Sequence, residues 1–143
     1  PLRDSVVLIE QCRPGASAAG MEPWLVEVVA GIIEDGESPE DVARREALEE
    51  AGCAVTDLHF IGRFLTSPGG CSESLALFCG RVDSSHAGGI HGLDHEQEDI
   101  RVLPLPRQEA LNRLARGEIS NLFTVAALQW LALNYTEMMS IWK

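Results

Sequence analysis

Between Ala30 and Cys53 the chain reads AGIIEDGESPEDVARREALEEAGC, and this stretch constrains the rest more than any other. From Pro39 to Ala51 it has no internal glycine or proline, so it can run as one uninterrupted helix. Ser38 is a good N-cap, Pro39 suits the first helical position, and Glu40 and Asp41 place negative charge at the positive end of the helix dipole. Gly52 supplies the stop. At about 100° per residue, Glu46, Glu49 and Glu50 share one arc, while Ala43, Ala47, Leu48 and Ala51 share another. The expectation is a helix that packs one face and presents three carboxylates on the other.

Carboxylates at i and i+4, here Glu46 and Glu50, repel unless something positive lies between them. Arg45 can answer Glu49 one turn on, but its position points it away from the gap between Glu46 and Glu50. A hard divalent cation suits that gap, because magnesium and manganese favour carboxylate and carbonyl oxygens. The loop from Gly31 to Gly36 has glycines where a backbone carbonyl can approach such an ion. A bare cluster of acids is more often a solvated helix face, so the cluster alone does not choose between the two readings.

The spacing does choose. Gly31, five residues, Glu37, seven residues and then Arg45-Glu46-Ala47-Leu48-Glu49-Glu50-Ala51-Gly52-Cys53 resembles the Nudix box, with every charged and glycine position filled. Ala47 and Cys53 depart from it softly, being small where the pattern usually carries a larger aliphatic residue. The resemblance implies a Nudix-type α/β/α sandwich with a mixed β-sheet, and a hydrolase that acts on nucleoside diphosphates linked to another group.

The remaining composition agrees with a single domain over residues 1–143, with 45% hydrophobic residues to fill a core. A formal net charge of −11 argues against nucleic acid and anionic membrane as partners, since both need basic patches. Cys12, Cys53, Cys71 and Cys79 lack metal-binding spacing and read as reduced structural thiols. No apolar run is long enough to cross a bilayer and no signal peptide is visible, so a cytoplasmic protein is expected.

Along the chain, Ser5 to Glu10, Trp24 to Val29, Val55 to Leu65, Ser74 to Val82 and Ile100 to Leu105 read as strands. Arg13 to Pro23 reads as a loop, and a hairpin is expected around Ser67 to Gly70. Asp83 to Asp99 is irregular; His86, His91 and His95 lie there at spacings that fit no familiar zinc set. Arg107 to Gly117 and Ser120 to about Met139 read as helices, the second with Leu122, Val125, Leu128, Trp130, Leu131 and Tyr135 forming a broad apolar face.

Within the Nudix group, Pro68 in the setting SPGG, about fifteen residues beyond the box, resembles the ADP-ribose pyrophosphatase branch. So do the stretches VVLIEQCR, EVVAGIIEDGE, GGIHGLDHEQEDIRV and ALQWL, which extend the likeness over nearly the whole chain. That resemblance implies magnesium-dependent hydrolysis of ADP-ribose to AMP and ribose 5-phosphate, with manganese a substitute and on the order of two or three ions per site. It places Glu46, Glu50 and the carbonyl of Ala30 on the metal, Glu49 in or beside that cluster, and Glu98 as a further ligand. Arg45 would orient the acids, Gly31 and Gly52 would shape the turns at the helix ends, and Glu37 would tie the loop to the helix. Glu96 matches a general base carried on a loop. Arg13 is a candidate phosphate partner, and Ile32, Ser67, Pro68, Gly69 and Glu73 match positions lining the substrate site. Bacterial members carry an N-terminal sheet segment that completes a homodimer and part of the adenine site, and here nothing before Pro1 supplies it. Two other readings share the helix: a broader ADP-sugar or NADH pyrophosphatase, and a module that binds ADP-ribose without cleaving it. The second should have lost box acids, whereas Glu46, Glu49 and Glu50 are all present.

Overall fold

The computed structural model describes residues 4–93 and 99–142. Strand β1 (Ser5–Cys12) is followed by helix α1 (Pro14–Ala18), β2 (Trp24–Glu27), α2 (Pro39–Ala51), β3 (Val55–Leu65) and β4 (Ser74–Val82). The order then continues with β5 (Ile90–His91), β6 (Ile100–Pro106), α3 (Arg107–Ala115) and α4 (Leu122–Ile141). One sheet has the order β2-β1-β6-β5, and β3 pairs with β4 in a second.

Strand alternation sorts the core into two layers. On one face of the larger sheet Ile9, Ile100 and Val102 meet Ala51 and Cys53 at the end of α2. On the other, Leu8 meets Ala110 of α3, Ile119 of the connection that follows it, and Leu128 of α4. Leu8, Ile9 and Ile100 are almost wholly buried, each worth roughly 2 kcal/mol of transfer free energy. This is the α/β/α layering implied by the box. The described pairings are, however, all antiparallel rather than mixed. Parallel neighbours need a long crossover, and the long crossover here, through α2, delivers β3 to the second sheet instead of beside β2.

Several boundaries move for identifiable reasons. The expected loop after β1 contains α1, begun by Pro14 and closed by Gly20 at φ 71. β1 runs on to Cys12 because Cys12 pairs with Trp24. β2 stops at Glu27, short of Val29, because the next amides leave the ladder: Val28 N–H donates to Thr124 Oγ1 at 3.0 Å and Ala30 N–H to Glu50 Oε2 at 3.2 Å. The irregular stretch after β4 holds the short β5, which pairs with β6. α4 begins after Asn121, whose Oδ1 accepts from the amides of Phe123 and Thr124. Its expected apolar face is only partly covered: Leu128 is buried, but Leu122 is exposed. All four cysteines are free. Among the described residues no helix is long and apolar enough to cross a membrane.

Candidate active site

Helix α2 is built as its sequence requires. Ser38 Oγ accepts from the amide of Asp41 at 3.1 Å, and Gly52 adopts φ 63 at the C-cap. Its orientation differs from the expectation. Ala51 of the expected packing face is buried, but Leu48 of that face is 58% exposed, and Val42 and Glu50 are buried in its stead. Val42, Glu46 and Glu50 follow one another at four-residue intervals, and this stripe is the one turned inward. Glu46 and Glu50 therefore face the protein interior and the cleft, while Glu49 stays part-exposed.

The backbone leaving β2 is what receives them. Ala30 N–H donates to buried Glu50, and Gly31 lies so close to Glu46 that a Cβ there would sit 1.9 Å from Glu46 Oε1. Gly31 is not among the glycines with positive φ, so its lack of a side chain matters here for space and not for backbone freedom.

Arg45 holds the outer acids together. Its Nη1 donates to Glu46 Oε1 at 2.8 Å and to Glu49 Oε2 at 3.0 Å, and its Nε donates to Glu37 Oε1 at 3.2 Å. The expected Arg45–Glu49 pair forms, and Arg45 reaches Glu46 as well, because a long guanidinium on the adjacent residue can fold over its neighbour. Glu37 also accepts from the Glu34 amide at 3.1 Å, which ties the loop to the helix. That amide, then Arg45, lowers the Glu37 carboxyl below its usual range. Hydrogen bonds to Glu37 and Glu49 raise the already high pKa of Arg45 further, so it carries a fixed charge.

Beside this cluster opens a cleft of about 760 Å³, bounded by Arg13, Ala30, Gly31, Ile32, Glu46 and Glu73 among others. Arg13 does not stand free at its wall: its Nε and Nη2 donate to Glu27 Oε2 at 2.9 and 2.7 Å. Glu73 Oε2 accepts from Thr66 Oγ1 at 2.7 Å, closing the base of the β3–β4 turn. The tip of that turn is fixed by Gly70 and Cys71 amides donating to the Ser67 carbonyl, both at 2.9 Å. Ser67, Pro68 and Gly69 stand on this exposed tip, apart from the cleft wall. Glu96 and Glu98 lie outside the described residues, as does His95. Behind Arg13 lie Glu27 and Asn121, and Thr124 holds the Val28 amide, polar groups outside the candidate set drawn from the sequence. A lone glutamate within the apolar run WLVEVV was the available signal.

An α/β sandwich whose one acidic helix turns Glu46 into a cleft also bordered by Arg13 and Glu73 defines a class of protein suited to anionic substrates met through cations. The family to which this chain belongs is Nudix: the model for the NUDIX domain matches residues 2–133. A curated relative from Escherichia coli strain K12, an ADP-ribose pyrophosphatase, is 51% identical over 142 residues, covering 99% of this chain and 68% of the relative. The ADP-ribose pyrophosphatase of Haemophilus influenzae is 47% identical over 146 residues, covering 100% of this chain and 67% of its own length. A GDP-mannose pyrophosphatase from Cronobacter sakazakii is 38% identical over 92% of this chain and 68% of the relative.

A Nudix hydrolase implies divalent metal, and the residues present fit one in chemistry. Carboxylates of Glu46 and Glu49 converge on a single nitrogen, Arg45 Nη1, and Gly31 leaves the room beside Glu46 that a Cβ would fill. Hard oxygen donors of this kind suit magnesium or manganese. Among the described residues no three acidic, histidine or cysteine side chains form a closed metal shell as they stand. Arg45 holds two of the carboxylates, and Glu50 is turned to the amide of Ala30.

Proposed function

We propose that this chain hydrolyses the diphosphate bond of ADP-ribose to give AMP and ribose 5-phosphate. The observation that carries the reading is the inward stripe on which Glu46 packs against Gly31 at the wall of the cleft and buried Glu50 meets the Ala30 amide. Near-50% identity to ADP-ribose pyrophosphatases over almost the whole chain supports the choice of substrate. The chain acts as one domain.

Glu46, Glu50 and the Ala30 carbonyl hold the divalent ions, with Glu49 beside them and Glu98 as a further ligand. When bound, magnesium ions neutralise charge on the diphosphate and lower the pKa of a bound water. Arg45 aligns Glu46 and Glu49. Glu96 takes the proton from the attacking water as general base. Arg13 grips a phosphate, and Ile32, Ser67, Pro68, Gly69 and Glu73 border the bound nucleotide sugar. The family likeness further supports a cytoplasmic homodimer that uses magnesium, with manganese as substitute.

A second reading, hydrolysis of a wider range of nucleotide sugars or NADH, is favoured by the 38% identity to a GDP-mannose pyrophosphatase. Magnesium-dependent turnover of ADP-ribose, ADP-glucose, GDP-mannose and NADH, with products separated by chromatography, decides between them. AMP and ribose 5-phosphate should appear fastest from ADP-ribose. Equal rates on several substrates would favour the broader enzyme, and tight ADP-ribose binding without turnover would favour a binding module.

A further inference from the structure

Glu27 is a carboxylate in the wrong place for a strand that packs apolar neighbours: it is 2% exposed, opposite Ile9 in the β1–β2 ladder. Burying a charge is costly, and an apolar side chain of similar volume would fill the position at lower cost. Every contact of the carboxylate is to a donor. Oε2 accepts from Arg13 Nε at 2.9 Å, from Arg13 Nη2 at 2.7 Å and, more weakly, from Gln11 Nε2 at 3.4 Å. Oε1 accepts from Asn121 Nδ2 at 2.8 Å. Asn121 in turn spends its Oδ1 on the amides of Phe123 and Thr124, so its own orientation is set by the start of α4.

The consequence falls on Arg13. Both bonds use the Nε/Nη2 edge of the guanidinium, leaving Nη1 and the outer N–H of Nη2 directed away from Glu27. Arg13 is half-exposed and lines the same cleft as Ala30, Gly31 and Glu46. An arginine held by one edge and open along the other is ready for the paired oxygens of a phosphate. Its side chain is ordered before the ligand arrives, which removes an entropic cost from binding.

We propose that Glu27 is the positioning residue for Arg13, and that Asn121 locks Glu27 so that Arg13 presents its free edge to one phosphate of the substrate. The proposal rests on Arg13 contacting the diphosphate, as assigned above. A purely structural role, tying β2 to α4, predicts instead a loss of stability that does not depend on Arg13.

The test is a double-variant cycle on magnesium-dependent ADP-ribose hydrolysis using Glu27→Gln, Arg13→Ala and their combination, with thermal unfolding measured for each. Glu27→Gln should raise KM about tenfold, the scale of a displaced charge-assisted hydrogen bond, while kcat stays within about threefold. The double variant should match Arg13→Ala within about twofold, because Glu27 acts through Arg13. Should Glu27→Gln fail to fold, Glu27→Asp, which keeps the charge but retracts it, enters the same cycle with the same expectation. An unchanged KM in the Glu27 variant beside a raised KM in Arg13→Ala overturns the positioning role alone. So does a Glu27 effect that persists in full without Arg13. An unchanged KM in Arg13→Ala overturns both the role of Glu27 and the assignment of Arg13 to the diphosphate.

Discussion

Gly31→Ala is the most direct probe of the geometry at the candidate site. The added Cβ would lie 1.9 Å from Glu46 Oε1, 2.1 Å from Cδ and 2.4 Å from Cγ. Reaching the 3.4 Å of an ordinary contact moves the oxygen by about 1.5 Å, from 1.9 to 3.4. The helix cannot yield, since Val42, Glu50 and Ala51 on the same side are 4%, 3% and 2% exposed. The Glu46 side chain must therefore swing, giving up its 2.8 Å bond from Arg45 Nη1. That pair is solvent-screened, so its loss should leave Tm nearly unchanged. Catalysis should suffer far more, because a misplacement of about 1 Å at a reacting centre can cost 10²-fold. The expected result is a fall of about 10²-fold in kcat/KM for ADP-ribose, with the magnesium needed for half-activation rising by about tenfold or more. Product release followed by chromatography across a magnesium series, beside a circular-dichroism melt, reads both quantities. Activity within about threefold of the parent at every magnesium concentration would show that Glu46 does not work from the position described, and would refute the reasoning.

Three further outcomes are expected. Glu96→Gln should lower kcat by about 10²-fold or more with little change in KM, the range for losing a general base, and a near-normal kcat in steady-state assays would move that role elsewhere. Ser38→Ala removes the Oγ that accepts the Asp41 amide, so chemical denaturation should show a loss of about 1 kcal/mol without a matching loss of kcat. With Ellman's reagent at pH 8, exposed Cys12 and Cys71 should react quickly. Cys53 and Cys79 should lag, the first because it is buried and the second because burial pushes its thiol up to about 11. Four equally fast thiols would contradict the packing of β4.

What could be read directly from the chain was whatever depends on neighbours in sequence. The cap at Ser38, the stop at Gly52 and the extent of α2 follow from local hydrogen bonds and backbone preference, and all appear where expected. The span of β3 and the turn at Ser67–Gly70 were legible for the same reason. The Nudix box could be recognised because its chemistry needs fixed residue types at fixed offsets.

Tertiary structure decided which way those elements turn and what they meet. A helical wheel gives the angle between Leu48 and Glu50 but not which of them faces the protein. The answer came from the backbone after β2, whose Ala30 amide seeks an acceptor and whose Gly31 makes room for Glu46. The sequence marks Arg13 as a phosphate candidate, and only the fold shows that Glu27, fourteen residues on, holds one edge of it. Asn121, 94 residues from Glu27, completes that hold, and no local pattern could have joined them. Local propensity is a matter of a few tenths to one kcal/mol per residue and is written along the chain. The direction of a carboxylate is set by whichever distant donor packing brings to it, and that exists only once the sheet and its helices have closed.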